Sequence, residues 1–311
     1  MPEKIPVLAV VGPTASGKTA LSIALAKALD GEIISADSMQ IYKGMDIASA
    51  KPTKEERAGI PHHMMGVISP ETPYSVADYV EDAGEAIADV WAREKCPILV
   101  GGTGLYVDSL LSGTRFIPSP TDLKLRKELQ TQYETLGGEA MLQKLRGFDP
   151  ESAARLHPNN NKRIIRAFEV YRLTGKTMTE ALKNSHSEPS RYKPTFIGIN
   201  FADRAVLYDR INRRVDLMLE NGLLDEAKDF FEHTTATAAQ AIGYKELKPY
   251  LDGEVSLSEA VDRLKQVTRN YAKRQLTWFK RNPEIHWLYP DTCTKEEFLR
   301  QAFKIAETVK L

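Results

Sequence analysis

Apolar runs and apolar stripes alternate along the first third of the chain. Val7-Leu8-Ala9-Val10-Val11 is an unbroken apolar run, and Leu21, Ala24, Leu25, Ala28 and Leu29 then recur at helical spacing. Glu32-Ile33-Ile34-Ser35-Ala36-Asp37 predicts a second strand that ends in a carboxylate. Pro97-Ile98-Leu99-Val100-Gly101-Gly102 predicts a third, after a helical run from about Val76 to Trp91. Continuous apolar strands separated by amphipathic helices predict a parallel sheet covered on both faces. Such sheets take their ligands at the carboxyl ends of the strands. That rule gathers residues 12–19, Asp37 and Gly101-Gly102-Thr103-Gly104 at one edge.

The pattern changes near Phe116. From there to about Pro194 the periodicity is mainly helical and rich in Arg, Lys and Glu, with Pro118-Ser119-Pro120 at the entrance and Pro189 to Pro194 at the exit. Strand patterns return at Phe196-Ile197-Gly198-Ile199-Asn200-Phe201 and at Ile285-His286-Trp287-Leu288-Tyr289. The economical reading is a five-stranded α/β core interrupted by a helical insertion of about eighty residues, the size of a small domain. Residues 1–115 and 196–311 would form the core and residues 116–195 the insertion. Two domains in series are the alternative, but strand patterns flank the helices on both sides.

Two helices after the insertion stand out. Leu207, Ile211, Val215, Met218 and Leu219 make an apolar stripe that Asn221-Gly222 would end, with Arg210 and Arg214 four apart beside it. From about Ser258 to Arg281 a second helix carries seven basic and two acidic residues, a net charge of +5. The whole chain balances 42 basic against 42 acidic residues, so that charge is a local face and not a general property. Cys96 and Cys293 form no metal or disulfide pattern, which fits a reducing cytoplasm. The N-terminus leads straight into the first strand without a signal pattern, and no apolar run approaches membrane-spanning length.

The chemistry begins at Gly12-Pro13-Thr14-Ala15-Ser16-Gly17-Lys18-Thr19, which fits G-x-x-x-x-G-K-[ST]. A strand before it and a helix after it are the context of a phosphate-binding loop. Its backbone N–H groups and the helix N-terminus would hold phosphate oxygens. Lys18 would reach the outer phosphate and the Thr19 hydroxyl would ligate Mg²⁺. The fold class expected is therefore a P-loop NTPase-like α/β protein with an inserted helical domain. The third strand, however, ends in Gly101-Gly102, where a typical ATP-hydrolysing P-loop enzyme has an Asp for Mg²⁺. Those glycines leave room beside the backbone for a ligand. Asp37 could accept a proton from a substrate near the phosphates, cap a helix starting at Ser38, or serve Mg²⁺ through water. Arg214 could clamp a leaving diphosphate. Tyr271, Trp278 and Phe279 interleave with the charges of the basic helix, and Arg155, Lys162, Arg163, Arg166 and Arg172 give the insertion a second basic surface. The helix could simply pack its aromatics and solvate its cations, but strong local charge in a neutral chain supports nucleic-acid contact at least as well. His62-His63 reads as loop residues, since adjacent histidines face different ways and no third ligand is evident.

Taken together, these residues resemble the bacterial tRNA dimethylallyltransferases, and the resemblance covers nearly the whole chain. The filling of the P-loop at 12–19 carries it, with Asp37-Ser38 and Gln40 to Ile47, Ala50-Lys51-Pro52 and Gly101 to Tyr106. Asn159 to Arg166, Gly175-Lys176-Thr177, Ala241-Ile242-Gly243-Tyr244-Lys245 and Lys273 to Trp278 extend it. One departure is visible: Gly66 stands where that family usually has Asp. The resemblance implies transfer of a dimethylallyl group from dimethylallyl diphosphate to N6 of the tRNA adenine just 3′ of the anticodon, without ATP. It implies Asp37 as general base, Thr103 beside the base, and Arg214 joining Lys18, Thr19 and the rest of residues 12–19 around the diphosphate, with Mg²⁺. It also implies tRNA contacts from Asp37, Ser38, Met39, Gln40, Thr103, Lys124, Lys162, Arg163, Ile164, Ile165, Arg166, Gln240, Ala241, Ile242, Gly243, Tyr244, Lys245, Lys273 and Lys280, and a cytoplasmic monomer. A nucleoside kinase would share the P-loop but not the basic helix. A non-catalytic RNA-binding module would leave the P-loop without purpose.

Overall fold

The structure is a computed structural model, and it describes residues 4–114, 116, 122–185, 189–233 and 241–309. The chain divides into two compact units, Met1–Ser112 with Ser190–Leu311, and Gly113–Pro189.

In the first unit, β1 (Ile5–Val11), α1 (Lys18–Ala28), β2 (Gly31–Ala36), α2 (Lys54–Arg57), β3 (His62–His63), α3 (Val76–Ala92), β4 (Cys96–Gly101) and α4 (Gly104–Leu111) come first. The second unit follows with α5 (Leu123–Arg146), α6 (Pro150–Arg155), α7 (Asn161–Thr174) and α8 (Met178–Ser185). The first unit is then completed by β5 (Tyr192–Ile199), α9 (Arg204–Glu220), α10 (Leu223–His233), α11 (Tyr244–Leu251), α12 (Leu257–Phe279), β6 (Ile285–Leu288) and α13 (Lys295–Ala306).

The strands form one parallel sheet in the order β3-β2-β4-β1-β5-β6. Alternate residues of β1 serve opposite faces, as the two-residue period requires. Val7, Ala9 and Val11 join Ile34, Leu99 and Tyr79 in one core, while Leu8 and Val10 join Leu21, Leu25, Ile98 and Ala302 in the other. The sheet has six strands and not five. The extra strand is His62–His63, paired with Ile33 and Ile34. Two histidines carry no apolar run, so the hydropathy pattern reads them as loop. β5 also starts at Tyr192, upstream of the apolar run at Phe196. Over Tyr192 to Thr195 it pairs only with β1, and β6 joins at Phe196. A one-sided strand tolerates Pro194, which masks the strand in sequence.

The second unit has its own core, in which Leu129, Met141, Leu142 and Leu145 of α5 meet Ile164, Ile165 and Phe168 of α7. Gly137 (φ 78°) breaks α5 into two helical stretches. Pro118-Ser119-Pro120 lies outside the described residues. Among the described residues no helix is long and apolar enough to cross a membrane.

Candidate active site

Register sets the site. Val11 of β1 and Ala36 of β2 both align with Gly101 of β4, so the chain leaves all three strands at one level. The residues that follow are the P-loop, Asp37 and Gly102-Thr103. α1 begins at Lys18 behind Gly17, whose φ of 95° is one that glycine takes without penalty.

A cavity of about 340 Å³ opens at this edge. Thr14, Lys18 and Thr19 form one end, with Asp37 to Gln40 beside them, and Ala48 to Ala50 and Ala241 to Gly243 form another wall. Arg214 lines it from α9, as do Tyr271, Arg274 and Gln275 from α12. The lining holds four cations, Lys18, Arg214, Lys245 and Arg274, against one carboxylate, Asp37, so it suits a polyanion. Apolar side chains of Ile211, Val215, Met218, Leu223 and Leu264 complete it.

Lys18 turns back to donate to the Pro13 carbonyl oxygen at 2.7 Å. Burial, and after it the Arg214 charge, push its ammonium down to about 7 against the opposing pull of the Asp37 charge. Burial also lowers Arg214, while Asp37 and Glu56 raise it. The two cations and the carboxylate therefore sit in one field. Ser16 is buried in the loop, and its Oγ has no hydrogen-bond partner among the described residues.

Asp37 caps backbone, but not the helix that one reading of the sequence expected at Ser38. Its Oδ1 accepts the N–H of Met39 at 2.9 Å and of Gln40 at 3.4 Å, but the chain turns at 38–40 and starts no helix. Both of these hydrogen bonds fall on Oδ1 and leave Oδ2 outside the cap. The Thr103 hydroxyl accepts the Ser38 N–H at 3.0 Å. It thus braces the Asp37 turn from behind and does not itself line the cavity.

Several residues of this site escape a reading of the sequence. Gln275 accepts the Thr14 N–H at 2.8 Å and donates to the Gly102 oxygen at 3.0 Å, tying the P-loop to the end of β4. A Cβ on Gly102 would meet Gln275 Nε2 at 2.1 Å, and one on Gly104 would meet Trp278 Cδ1 at 2.2 Å. The room beside those two glycines is thus filled by α12 and not kept for a ligand. A polar Gln on the buried stripe of α12, with Ala260, Leu264, Ala272 and Phe279, is the signal that would have found it. Arg210, noted only beside Arg214, donates to the Ala15 oxygen at 2.8 Å and lies over the Phe201 ring.

The expected tRNA contacts fall into distinct groups. Lys124, Lys162 and Arg163 are exposed, as are Lys273 and Lys280. Arg166 and Arg126 share Glu169, and Arg172 pairs with Glu128. Lys265 of α12 is bound to Asp216, and Arg281 just beyond its end to Asp108, so part of this basic charge is absorbed within the protein. Ile164 and Ile165 are corrected: at 0% and 5% exposure their side chains belong to the helical core, which their period along α7 demands. Tyr244 is likewise fully buried, its hydroxyl donating to Glu226 at 2.8 Å. Gln240 lies outside the described residues. His62 and His63 do not line the cavity, and His63 bonds Glu32 at 2.7 Å.

The profile of the IPP transferase family matches residues 40–282, and that of the isopentenyl transferases matches residues 5–64. The chain belongs to the IPP transferase family. The tRNA dimethylallyltransferase of Bacillus subtilis is 48% identical over 286 residues, 91% of this chain and 90% of its own. That of a Thermoanaerobacter strain is 46% identical over 301 residues, 96% of each chain. The crystal structure of the full-length tRNA isopentenylpyrophosphate transferase from Bacillus halodurans matches with a TM-score of 0.72 at 43% identity, over 98% of both chains. A eukaryotic dimethylallyltransferase acting on tRNA matches with a TM-score of 0.81 at 29% identity, over 99% of this chain and 81% of that one. Like those IPP transferases, this chain is a tRNA dimethylallyltransferase, with the P-loop-like α/β fold they share.

Proposed function

We propose that the cavity receives dimethylallyl diphosphate from the P-loop side and an adenine flipped out of tRNA on the Asp37 side. One observation carries this reading: Lys18, Thr19, Arg214 and Asp37 line a single cavity that also has apolar lining from Ile211, Val215, Met218, Leu223 and Leu264. Lys18, Arg214 and the P-loop N–H groups bind the diphosphate, and their charge offsets what builds on the bridging oxygen as the allylic C–O bond breaks. Ile211, Val215, Met218, Leu223 and Leu264 enclose the five-carbon group. Asp37 accepts the N6 proton as the new C–N bond forms, which helps because an aromatic amine is a weak nucleophile. Stacked adenine cannot reach so recessed a site, hence the flip. The products are prenylated tRNA and diphosphate, and no ATP is consumed.

Mg²⁺ is commonly held by one or two protein oxygens and by substrate phosphates. Thr19 fits that role, since its hydroxyl follows Lys18 in the lining of the cavity that also holds Asp37. When bound, the ion would neutralise diphosphate charge. The exposed Lys124, Lys162, Arg163, Lys273 and Lys280 hold tRNA phosphates, and the protein works as a cytoplasmic monomer. The test is incubation with an anticodon stem-loop, Mg²⁺ and either labelled dimethylallyl diphosphate or labelled ATP. Label from the prenyl donor should reach the RNA without ATP. Label moving only from ATP would overturn the reading.

A further inference from the structure

One side chain ties together two separate segments of the cavity lining. Glu226, on α10, accepts the N–H groups of Asp46 at 2.9 Å and Ile47 at 2.7 Å on Oε2, and that of Ala48 at 2.8 Å on Oε1. Oε1 also accepts the Tyr244 hydroxyl at 2.8 Å. The carboxylate thus clasps two segments, 46–48 and the start of α11, that come from distant parts of the sequence. Both continue into cavity lining, through Ala48-Ser49-Ala50 and Ala241-Ile242-Gly243, and Leu223 lines it from the helix of Glu226 itself. A Cβ on Gly243 would stand 3.4 Å from Ala48 Cβ, so the clasped segments touch.

The clasp reaches Asp37 by a continuous path. The Gln40 side chain donates to the Ser49 and Ala50 carbonyl oxygens at 3.3 and 3.4 Å and accepts the Ser35 hydroxyl at 2.9 Å. The Gln40 and Met39 N–H groups in turn fix Asp37 Oδ1. Freeing residues 46–48 therefore frees the surface on which Gln40, and through it Asp37, is seated.

We infer that Glu226 is a positioning residue for Asp37, holding the adenine side of the cavity in register with the phosphate side. This rests on the proposed role of Asp37. Glu226→Gln keeps the size of the side chain but replaces one acceptor oxygen with a donor, so it cannot hold all three N–H groups. Its single-turnover rate should fall roughly 10- to 100-fold, since small misplacements of a reacting group have effects of that order. Affinity for a non-reactive diphosphate analogue should stay within about twofold, because the phosphate side is not touched. In an Asp37→Ala background Glu226→Gln should cost almost nothing further, because residues acting as one unit are not additive. Amide hydrogen exchange at Asp46, Ile47 and Ala48 should accelerate in Glu226→Gln, a readout independent of activity.

Full additivity with Asp37→Ala, an unchanged rate, or unchanged exchange at those amides would overturn the inference. Should Glu226→Gln fold poorly, Tyr244→Phe removes one arm of the clasp and should show the same pattern more weakly; a normal rate there would count against it. If the unaltered protein moves no prenyl label, the proposed function fails and the positioning claim falls with it, while the exchange data still decide whether the clasp exists.

Discussion

The two ends of the cavity are built by the same device with opposite outcomes. Each presents backbone N–H groups from a tight turn, the arrangement that binds anions. At residues 46–48 the protein supplies the anion itself, as Glu226. At the P-loop no protein carboxylate is hydrogen-bonded to the N–H groups of residues 15–19 among the described residues, and the cations Lys18, Arg210 and Arg214 gather there, with Asp37 in the same field. Glu246 repeats the first pattern by accepting the Gly243 N–H at 2.9 Å. A turn completed by its own carboxylate is a finished wall. A turn surrounded by cations is a receptor.

The comparison breaks or sharpens under substitution. The largest effect should come from Asp37→Ala, which is expected to lower turnover about 10²- to 10⁴-fold, as for a positioned proton acceptor. Titration calorimetry with a diphosphate analogue should show little change. Donor affinity lost in parallel with rate would merge the two ends into one.

Arg214→Ala should invert that result. Hydrogen bonds to charged groups contribute about 1.5–3 kcal/mol, so donor affinity should fall roughly 10- to 100-fold. Unchanged affinity in calorimetry would remove Arg214 from the receptor end.

A third test uses pH. Free Lys18 loses its proton near pH 7 because it is buried beside Arg214. A bound diphosphate would keep it charged, so binding takes up a proton above that pH. By linkage, donor affinity should fall as pH rises, by up to about tenfold per unit between about pH 7 and 9. Lys18→Arg, charged throughout, should flatten the profile. A flat profile in the unaltered protein would contradict the shift.

The smallest effect should fall on the surface. Replacing Lys273 and Lys280 together should lower the slope of log affinity for tRNA against log salt by up to about two units. Donor affinity should not move. A salt slope equal to that of the unaltered protein would leave both lysines as solvated charges.

The contrast between the ends also explains what was legible in the sequence. The receptor end is contiguous: residues 12–19 carry their own strand, turn and helix signals, and Asp37 closes a clear apolar run. Parallel packing then brings them together without further information. The finished wall is assembled from 46–50, 223–226 and 241–245, and nothing in the sequence around Glu226 marks it as different from any surface acid. The same holds for Gln275, whose role appears only when α12 is laid across the P-loop. His62–His63 joins β2 through backbone pairing and the His63–Glu32 bond, and leaves no hydropathy trace. Ile164 and Ile165 show the opposite error: they stand in a recognisable stretch with Lys162, Arg163 and Arg166, but their period assigns them to the interior.

The sheet order bears on synthesis as well as on chemistry. β1 is flanked by β4 and β5, and between Val11 and Tyr192 the whole second unit must be made. At about 5–20 residues per second, one edge of the central strand waits roughly 10–40 seconds for its partner. A bare apolar edge is a template for wrong pairing. The intervening unit, Gly113–Pro189, has a core of its own and mostly helical, local contacts, so it can fold while that edge waits. The Ser190 hydroxyl bonds the Leu111 carbonyl oxygen at 2.6 Å, joining the two chain segments on either side of the unit. In the finished fold that bond sets the start of β5 beside the end of α4, so a folded second unit that brings its two ends together would shorten the search across some 180 residues.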